Sequence, residues 1–441
     1  MKLTLNRPNL IKLLLPLFAF AATFLAVKLI DSPSGSGPTG ADAGASASGF
    51  ADARTTDQRI RSLQAAVKMD TSRAAPYASL GDAYLQKARE TADPAQYVRA
   101  ESALRAALQR EPRDAGALTA MGSLANARHD FRAALRYGER ARAAAPGVVK
   151  PYGVIVDAQV ELGRYDAAER TLQRMVDLKP NLDSYARVSY FRELHGDLLG
   201  AIEAMRLAAS AGGDARENFA YVQTLIGNLE LARGRTADAE RSYRLAVARF
   251  DSYVPAQAGL ARAAVARGDL GVAIRRYRSV VTRLPLPEYV VGLAETELGA
   301  GRRSAAREDL ALVEVQQRLL RRGGVNVDAE MAIVEADHGD PARAVDLARR
   351  AWTAAPSVRS ADALGWSLTR AKQPQEGLEF ARRALRLGSR DALFLYHAGI
   401  AARDAGERSD ARRYLTRALA GNVRFSALHA RHARAALAGL Q

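Results

Sequence analysis

One string returns along this chain with only minor changes, and it constrains the fold more than any other feature. GRYDAAERTLQRMVDLKP begins at Gly163, GRTADAERSYRLAVARF at Gly234, GDLGVAIRRYRSVVTRLP at Gly268, GRRSAAREDLALVEV at Gly301, GDPARAVDLARRAWTAAP at Gly339 and GERSDARRYLTRALAGN at Gly406. The step from Gly234 to Gly268 is 34 residues. From about Thr56 onward apolar residues recur at three- and four-residue spacing, with Gly or Pro as regular punctuation and no alternating strand pattern. A fixed period of this length means one small supersecondary unit stacked many times.

Each position in the string has a mechanical reason. The Gly ends one helix and permits a left-handed turn. The Ala five residues later (Ala168, Ala239, Ala273, Ala306, Ala344, Ala411) lets two antiparallel helices approach closely. A larger apolar residue four positions on (Leu172, Tyr243, Tyr277, Leu310, Leu415) fills the space between them. A Pro (Pro146, Pro180, Pro285, Pro356) stops the second helix.

The half before the Gly also repeats. Tyr77, Leu80, Gly81 and Tyr84 have the spacing W-x2-L-G-x2-Y, partly repeated by Leu118, Met121 and Gly122 and by Leu395, Ala398 and Gly399. Over roughly residues 74–424 the chain therefore resembles the tetratricopeptide repeat (TPR) family. The expected fold is an all-α solenoid of about ten helix hairpins forming a superhelix. The hairpins fall at 74–114, 115–148, 149–181, 182–219, 220–253, 254–286, 287–324, 325–357, 358–391 and 392–424. Loops at Gly212-Gly213 and Gly323-Gly324 are irregular and are expected to let the stack flex. Thr56 to Met69 and Phe425 to Leu440 are expected to cap the two ends, as repeat arrays require.

The first fifty residues are of another kind. Asn9 to Ile30 reads NLIKLLLPLFAFAATFLAVKLI, about the length of a membrane span. Lys2, Arg7 and Lys12 precede its apolar centre, which favours a cytoplasmic N-terminus and an exported remainder. No good cleavage site follows closely, so an uncleaved signal anchor over 1–31 fits better than a cleaved signal, whose product would be secreted. Residues 32–55 are rich in Gly, Ser, Ala and Pro and read as a flexible linker to a helical domain over 56–441. Gly35 to Gly40 formally matches GxGxxG, but no strand precedes it and no helix follows, so the match is chance.

Composition narrows the chemistry. There is no cysteine, which excludes disulfides, thiolate metal sites and a lipoprotein anchor. The net charge is +16, almost all from Arg scattered among Ala, Glu and Asp, with no basic run. That pattern is a solvated helix face before it is a nucleic-acid tail, and nucleic acid is not the expected partner. No HExxH, P-loop or G-x-S-x-G appears. His129, His195 and His338 fall at interhelix turns, where they are expected to cap or face water. His429 and His432 lie three apart on one helix face with no third ligand near in sequence. Asp238 and Glu240, two apart, do not share a helix face. The repeats use nearly all of the chain, so an enzyme, a metal and a cofactor are not expected.

Resemblance to the family implies a groove lined by the first helix of each hairpin that binds a protein or an extended peptide. Its candidate residues are Arg187, Tyr190, Tyr221, Asn228, Arg262, Trp366, Arg370, Tyr396, His397 and Arg403, types that anchor interfaces. Trp366 and His397 stand in adjacent repeats and are placed to meet; Trp366 also suits packing between repeats. The Lys and Asn set with which some family members grip a C-terminal carboxylate is replaced here by Ala78, Asp82, Ala120, Lys150 and Val154. The expected function is a membrane-tethered scaffold for envelope-associated assembly. The alternative is electrostatic binding of an anionic polymer, glycan or lipid surface.

Overall fold

The computed structural model describes residues 55–213 and 215–440. The expected anchor at 1–31 and the linker up to residue 54 lie outside the described residues, among which no helix is long and apolar enough to cross a membrane. The described chain contains helices and no strand. In chain order they are α1 (Thr56–Met69), α2 (Ala74–Thr91), α3 (Ala95–Arg110), α4 (Ala115–Ala127), α5 (Phe131–Ala144), α6 (Lys150–Glu161), α7 (Tyr165–Leu178), α8 (Leu182–Leu194), α9 (Leu198–Ala211), α10 (Arg216–Ala232) and α11 (Thr236–Arg249). There follow α12 (Val254–Arg267), α13 (Leu270–Arg283), α14 (Pro287–Gly299), α15 (Arg303–Arg322), α16 (Asp328–His338), α17 (Pro341–Ala354), α18 (Val358–Arg370), α19 (Pro374–Ala384), α20 (Ala392–Asp404), α21 (Arg408–Gly421) and α22 (His429–Ala438). Pairing α2 with α3, and so on to α20 with α21, gives ten hairpins between α1 and α22.

The repeated string explains each pair. Gly163 sits at φ +68° and turns the chain from α6 into α7. Along α7 the buried residues Tyr165, Ala168, Leu172, Met175 and Val176 form one stripe. Burying Leu172 completely contributes about 1.5–3 kcal/mol. All six alanines of the string, Ala168, Ala239, Ala273, Ala306, Ala344 and Ala411, have 0% exposure, so no room remains for a larger side chain. On the facing helix a glycine receives the large residue of its partner: a Cβ on Gly399 would collide with Leu415, and one on Gly81 with Leu104.

The stack then winds back on itself. The loop closing the seventh hairpin docks on the turn of the second: Arg128 Nε donates to the Gly323 carbonyl at 2.8 Å, and the Asn326 amide donates to the Arg128 carbonyl at 2.9 Å. Arg132 of the second hairpin reaches the Thr353 carbonyl at the end of the eighth at 3.0 Å. Tyr165 of the third accepts the Val358 amide at 2.9 Å. Asn422, after the tenth, donates to the Ala266 carbonyl of the sixth at 3.3 Å. One hydrophobic cluster accordingly holds Leu104 and Met121 together with Met331, Leu364 and Phe380. The Gly323-Gly324 loop, expected as a place of flexure, is instead a pinned contact between successive turns. The reason is tertiary: the superhelix brings Arg128 to a carbonyl 195 residues away.

Candidate functional site

The residues expected to line an open groove sit on α8, α10, α12, α18 and α20, the first helices of their hairpins. Most of the candidates are engaged within the chain, chiefly by the same or the neighbouring hairpin, and Tyr190 by Arg359 of the facing turn.

In the first turn Arg187 is 7% exposed and grips Asp157 of α6 by two bonds of 2.9 Å, Nε to Oδ1 and Nη2 to Oδ2. Its Nη1 donates to the Asp183 carbonyl at 3.1 Å. Gly153 makes the space, since a Cβ there would press on the guanidinium. Burial works to lower the Arg187 pKa, and Asp157 and Asp183 outweigh it and raise it. Tyr190 accepts two bonds from Arg359 of α18, at 3.1 and 3.0 Å, across 169 residues of sequence. Tyr221 is buried in the core of α8 to α10, and burial raises its pKa. Asn228 accepts from Tyr243 at 2.8 Å and from Arg262 at 2.7 Å. A side chain so paired is a structural element, and presenting it to a ligand would leave its partner unsatisfied.

The second turn gathers a denser group. Trp366 and His397 do meet: their rings stack at 4.3 Å and 13°. Trp366 Nε1 donates to Asp337 Oδ1 at 2.9 Å. His397 Nδ1 lies 3.0 Å from Asp362, while its buried Nε2 has no hydrogen-bond partner. Tyr396 is 1% exposed and stacks on His429 at 4.9 Å, and its hydroxyl bonds His432 Nδ1 at 2.7 Å. His429 Nε2 is 3.3 Å from Asp337 Oδ2. His429 and His432, expected on one face, therefore turn to different partners. His338, expected to cap or face water, has a side chain only 8% exposed, with Nε2 3.5 Å from Glu295. Arg370 is exposed, reaches the Ala336 carbonyl at 3.0 Å and covers the Trp366 ring, while Arg403 pairs with Asp404 at 2.7 Å.

The electrostatics of this group follow from its geometry. Burial pushes the Asp337 carboxyl up, but His429, His397 and His338 outweigh it and hold its pKa down. Burial likewise lowers His338 and His429, and their carboxylate neighbours raise both: Glu295 and Asp337 for His338, Asp337 foremost for His429. Asp391 is buried at the start of α20, where it accepts the Phe394 amide at 2.9 Å. Burial brings it to about 7.

Glu295, Asp337, Asp362 and Asp391 were not singled out from the sequence. A register argument reaches two of them. Counting from Pro287 and Val358, Glu295 and Trp366 hold the same ninth position of α14 and α18, so extending the groove register to α14 yields Glu295; Asp362 holds the fifth position of α18, as Tyr396 does of α20. Asp337 and Asp391 hold no such position, and their convergence depends on how the hairpins rotate.

Leu312, Val315 and Leu319 of α15 are 38%, 42% and 47% exposed and lie on one helical face. A cleft of 570 Å³ between the α20–α21 turn and α22 is lined by Arg403, Arg408 and His432 among others.

Residues 125–189 match the model of the tetratricopeptide repeat family. The chain matches no curated protein sequence. Similar solved structures include the APC/C hetero-tetramer Cut9–Hcn1, with 15% identity, a TM-score of 0.38, and 88% of this chain against 83% of that one. The human IFIT1 dimer with PPP-AAAA is 16% identical with a TM-score of 0.44, over 82% of this chain and 86% of that one. A tetratricopeptide repeat protein from Parabacteroides merdae is 14% identical with a TM-score of 0.34, over 59% and 98%. The family match together with the hairpin geometry supports a tetratricopeptide-type helical repeat scaffold.

Proposed function

We propose that the protein is a scaffold tethered to the cell membrane by residues 1–31, with its repeat domain on the extracytoplasmic side, where it binds a protein or extended peptide during assembly of an envelope-associated complex. The observation that carries the reading is the contrast between two surfaces. The groove candidates are already partnered within the chain, whereas α15 leaves Leu312, Val315 and Leu319 exposed. A stripe at i, i+3 and i+7 suits an amphipathic helix or an extended segment with apolar anchors. Arg318 and Arg322 border its C-terminal end and Glu308 continues it at the N-terminal end, so a partner with charges of both signs at its edges suits it.

The test is crosslinking in native membranes from photoreactive residues placed at Leu319 and, for comparison, at Tyr221, followed by mass spectrometry at low and high salt. A small set of envelope proteins captured at Leu319 and retained at high salt supports the scaffold. Capture at Tyr221 alone would return the partner to the inner face and remove α15 from the reading. Removing residues 1–31 should yield a soluble helical protein, and membrane pelleting of that truncation would contradict the single tether.

A second reading rests on the net charge of +16 and the cleft with Arg403 and Arg408. It is attachment to an anionic polymer, glycan or lipid surface. Such binding should weaken steeply with salt, and Arg403→Glu with Arg408→Glu should abolish it while leaving capture at Leu319 intact.

A further inference from the structure

Glu295, Asp337 and His338 converge from α14 and the last turn of α16. One ligand atom from each, two carboxylate oxygens and an imidazole nitrogen, lies within 4.8 Å of the other two. The Asp337 side chain is 4% exposed and that of His338 8%. His338 Nε2 is buried, makes no hydrogen bond, and faces Glu295 Oε1 at 3.5 Å. That separation is long for a hydrogen bond. It is the spacing of two donors on one small ion: ligands about 2.0–2.2 Å from a tetrahedral zinc lie roughly 3.4 Å apart.

The surroundings hold the carboxylate in place. Trp366 Nε1 donates to Asp337 Oδ1 at 2.9 Å, and His429 Nε2 lies 3.3 Å from Oδ2. Each oxygen keeps a further lone pair for an ion. Outer partners of this kind orient the ligands of metal sites. One imidazole with two carboxylates suits a borderline divalent ion such as zinc, whereas magnesium and calcium take oxygen-rich sets.

We propose that Glu295, Asp337 and His338 form a zinc site, with a fourth position open to water or to a donor from a partner. Zinc there staples the seventh hairpin to the eighth and, through Asp337 and His429, both to the C-terminal cap. The ion thereby sets the curvature of the second superhelical turn. This proposal is independent of which surface the partner occupies.

The test uses the full chain, untagged, purified in detergent and stripped with EDTA, and titrated with zinc alone against a competing chelator. One equivalent should bind with micromolar or tighter affinity. Cobalt in its place should give the visible absorption of a four-coordinate nitrogen–oxygen site. Glu295→Gln and His338→Asn should each weaken zinc binding at least about tenfold and abolish the rise in Tm that zinc gives the wild type. His432→Asn, which touches Tyr396 and not the cluster, should change neither. Helical content measured in EDTA shows whether each variant is folded, and Glu295→Asp, which keeps a carboxylate, should retain binding. The proposal is overturned if the stripped wild type takes up no stoichiometric zinc, in which case Glu295 and His338 form an ion pair only. It is equally overturned if folded Glu295→Gln and His338→Asn bind as tightly as wild type, which would place the ion on other surface histidines.

Discussion

Helices α18 and α15 belong to neighbouring parts of the same solenoid and differ in nearly every physical respect. Of the thirteen residues of α18, eleven are buried, including Ser360, Asp362, Ser367 and Thr369. Of the twenty residues of α15, only Ala306, Val313 and Gln317 are buried. The inner helix is enclosed because the neighbouring hairpins and the first turn of the stack lie against it, and its polar residues must then bond within the chain. Ser367 and Thr369 bond the carbonyls four residues back, at 2.7 Å each, and Asp362 meets His397. The outer helix packs on one side only, so its apolar stripe and its arginines face outward. Interface-type residues on an inner helix of such a chain therefore report internal packing, and those on an outer helix report a surface.

This contrast can be broken from the inside first. Arg187→Met leaves Asp157 buried and uncompensated and should lower stability by about 3–5 kcal/mol. A drop within error by denaturant unfolding would mean that the inner face is wetter than described. Ala168→Leu places a larger side chain where exposure is 0% and should cost about 1–3 kcal/mol; unchanged melting would count against the hairpin register. Tyr190→Phe removes one acceptor of Arg359, a link between turns, and should cost about 1–2 kcal/mol. Its larger signature should be faster proteolysis near α18 than near α7.

Asp391 gives a pH-dependent probe of the same enclosure. Its carboxyl is buried near Asp362 and His397, and its folded pKa of about 7 lies above the unfolded value. Between about pH 4 and pH 7 the folded chain thus keeps a proton that the unfolded chain releases. Stability falls as pH rises through that window. Asp391→Asn preserves capping ability and should raise Tm relative to wild type at pH 8 and raise it clearly less at pH 5. Equal differences at both pH values would contradict the buried acid. The smallest stability effect belongs to the outside: Leu319→Glu should alter stability by less than about 0.5 kcal/mol while abolishing partner capture. Loss of fold in that variant would place Leu319 in the core.

The hairpins were legible because their causes are local. Gly163, Ala168 and Leu172 act within one helical pair, and each position states its role through size and spacing alone. The meeting of Trp366 with His397 was legible for a similar reason, since adjacent repeats in one register are neighbours. The pairing of Arg187 with Asp157 was not, although the two stand only 30 residues apart, because either side chain would serve equally well in water. The meeting of Glu295 with Asp337 and His338, which joins adjacent hairpins, was illegible for the same reason. The Tyr190–Arg359 contact and the meeting of His429 with Asp337 were beyond reach for a stronger reason. They depend on the rotation accumulated over several hairpins, and small angles at each junction sum to the contact.

What the sequence determined by itself is the unit: helix, tight turn most often made by glycine, helix with a seam of small residues, about ten times over with a cap at each end. These follow from the 3.6-residue period and from steric rules that act within about forty residues. What only the tertiary structure decided is where the units go once stacked. The second turn settles on the first through Arg128, Tyr165 and Asn422, and the residues of the expected groove are taken up by partners within the chain. Long-range closure is set by summed geometry and by the need to satisfy every buried carbonyl and guanidinium, and no single repeat carries that information.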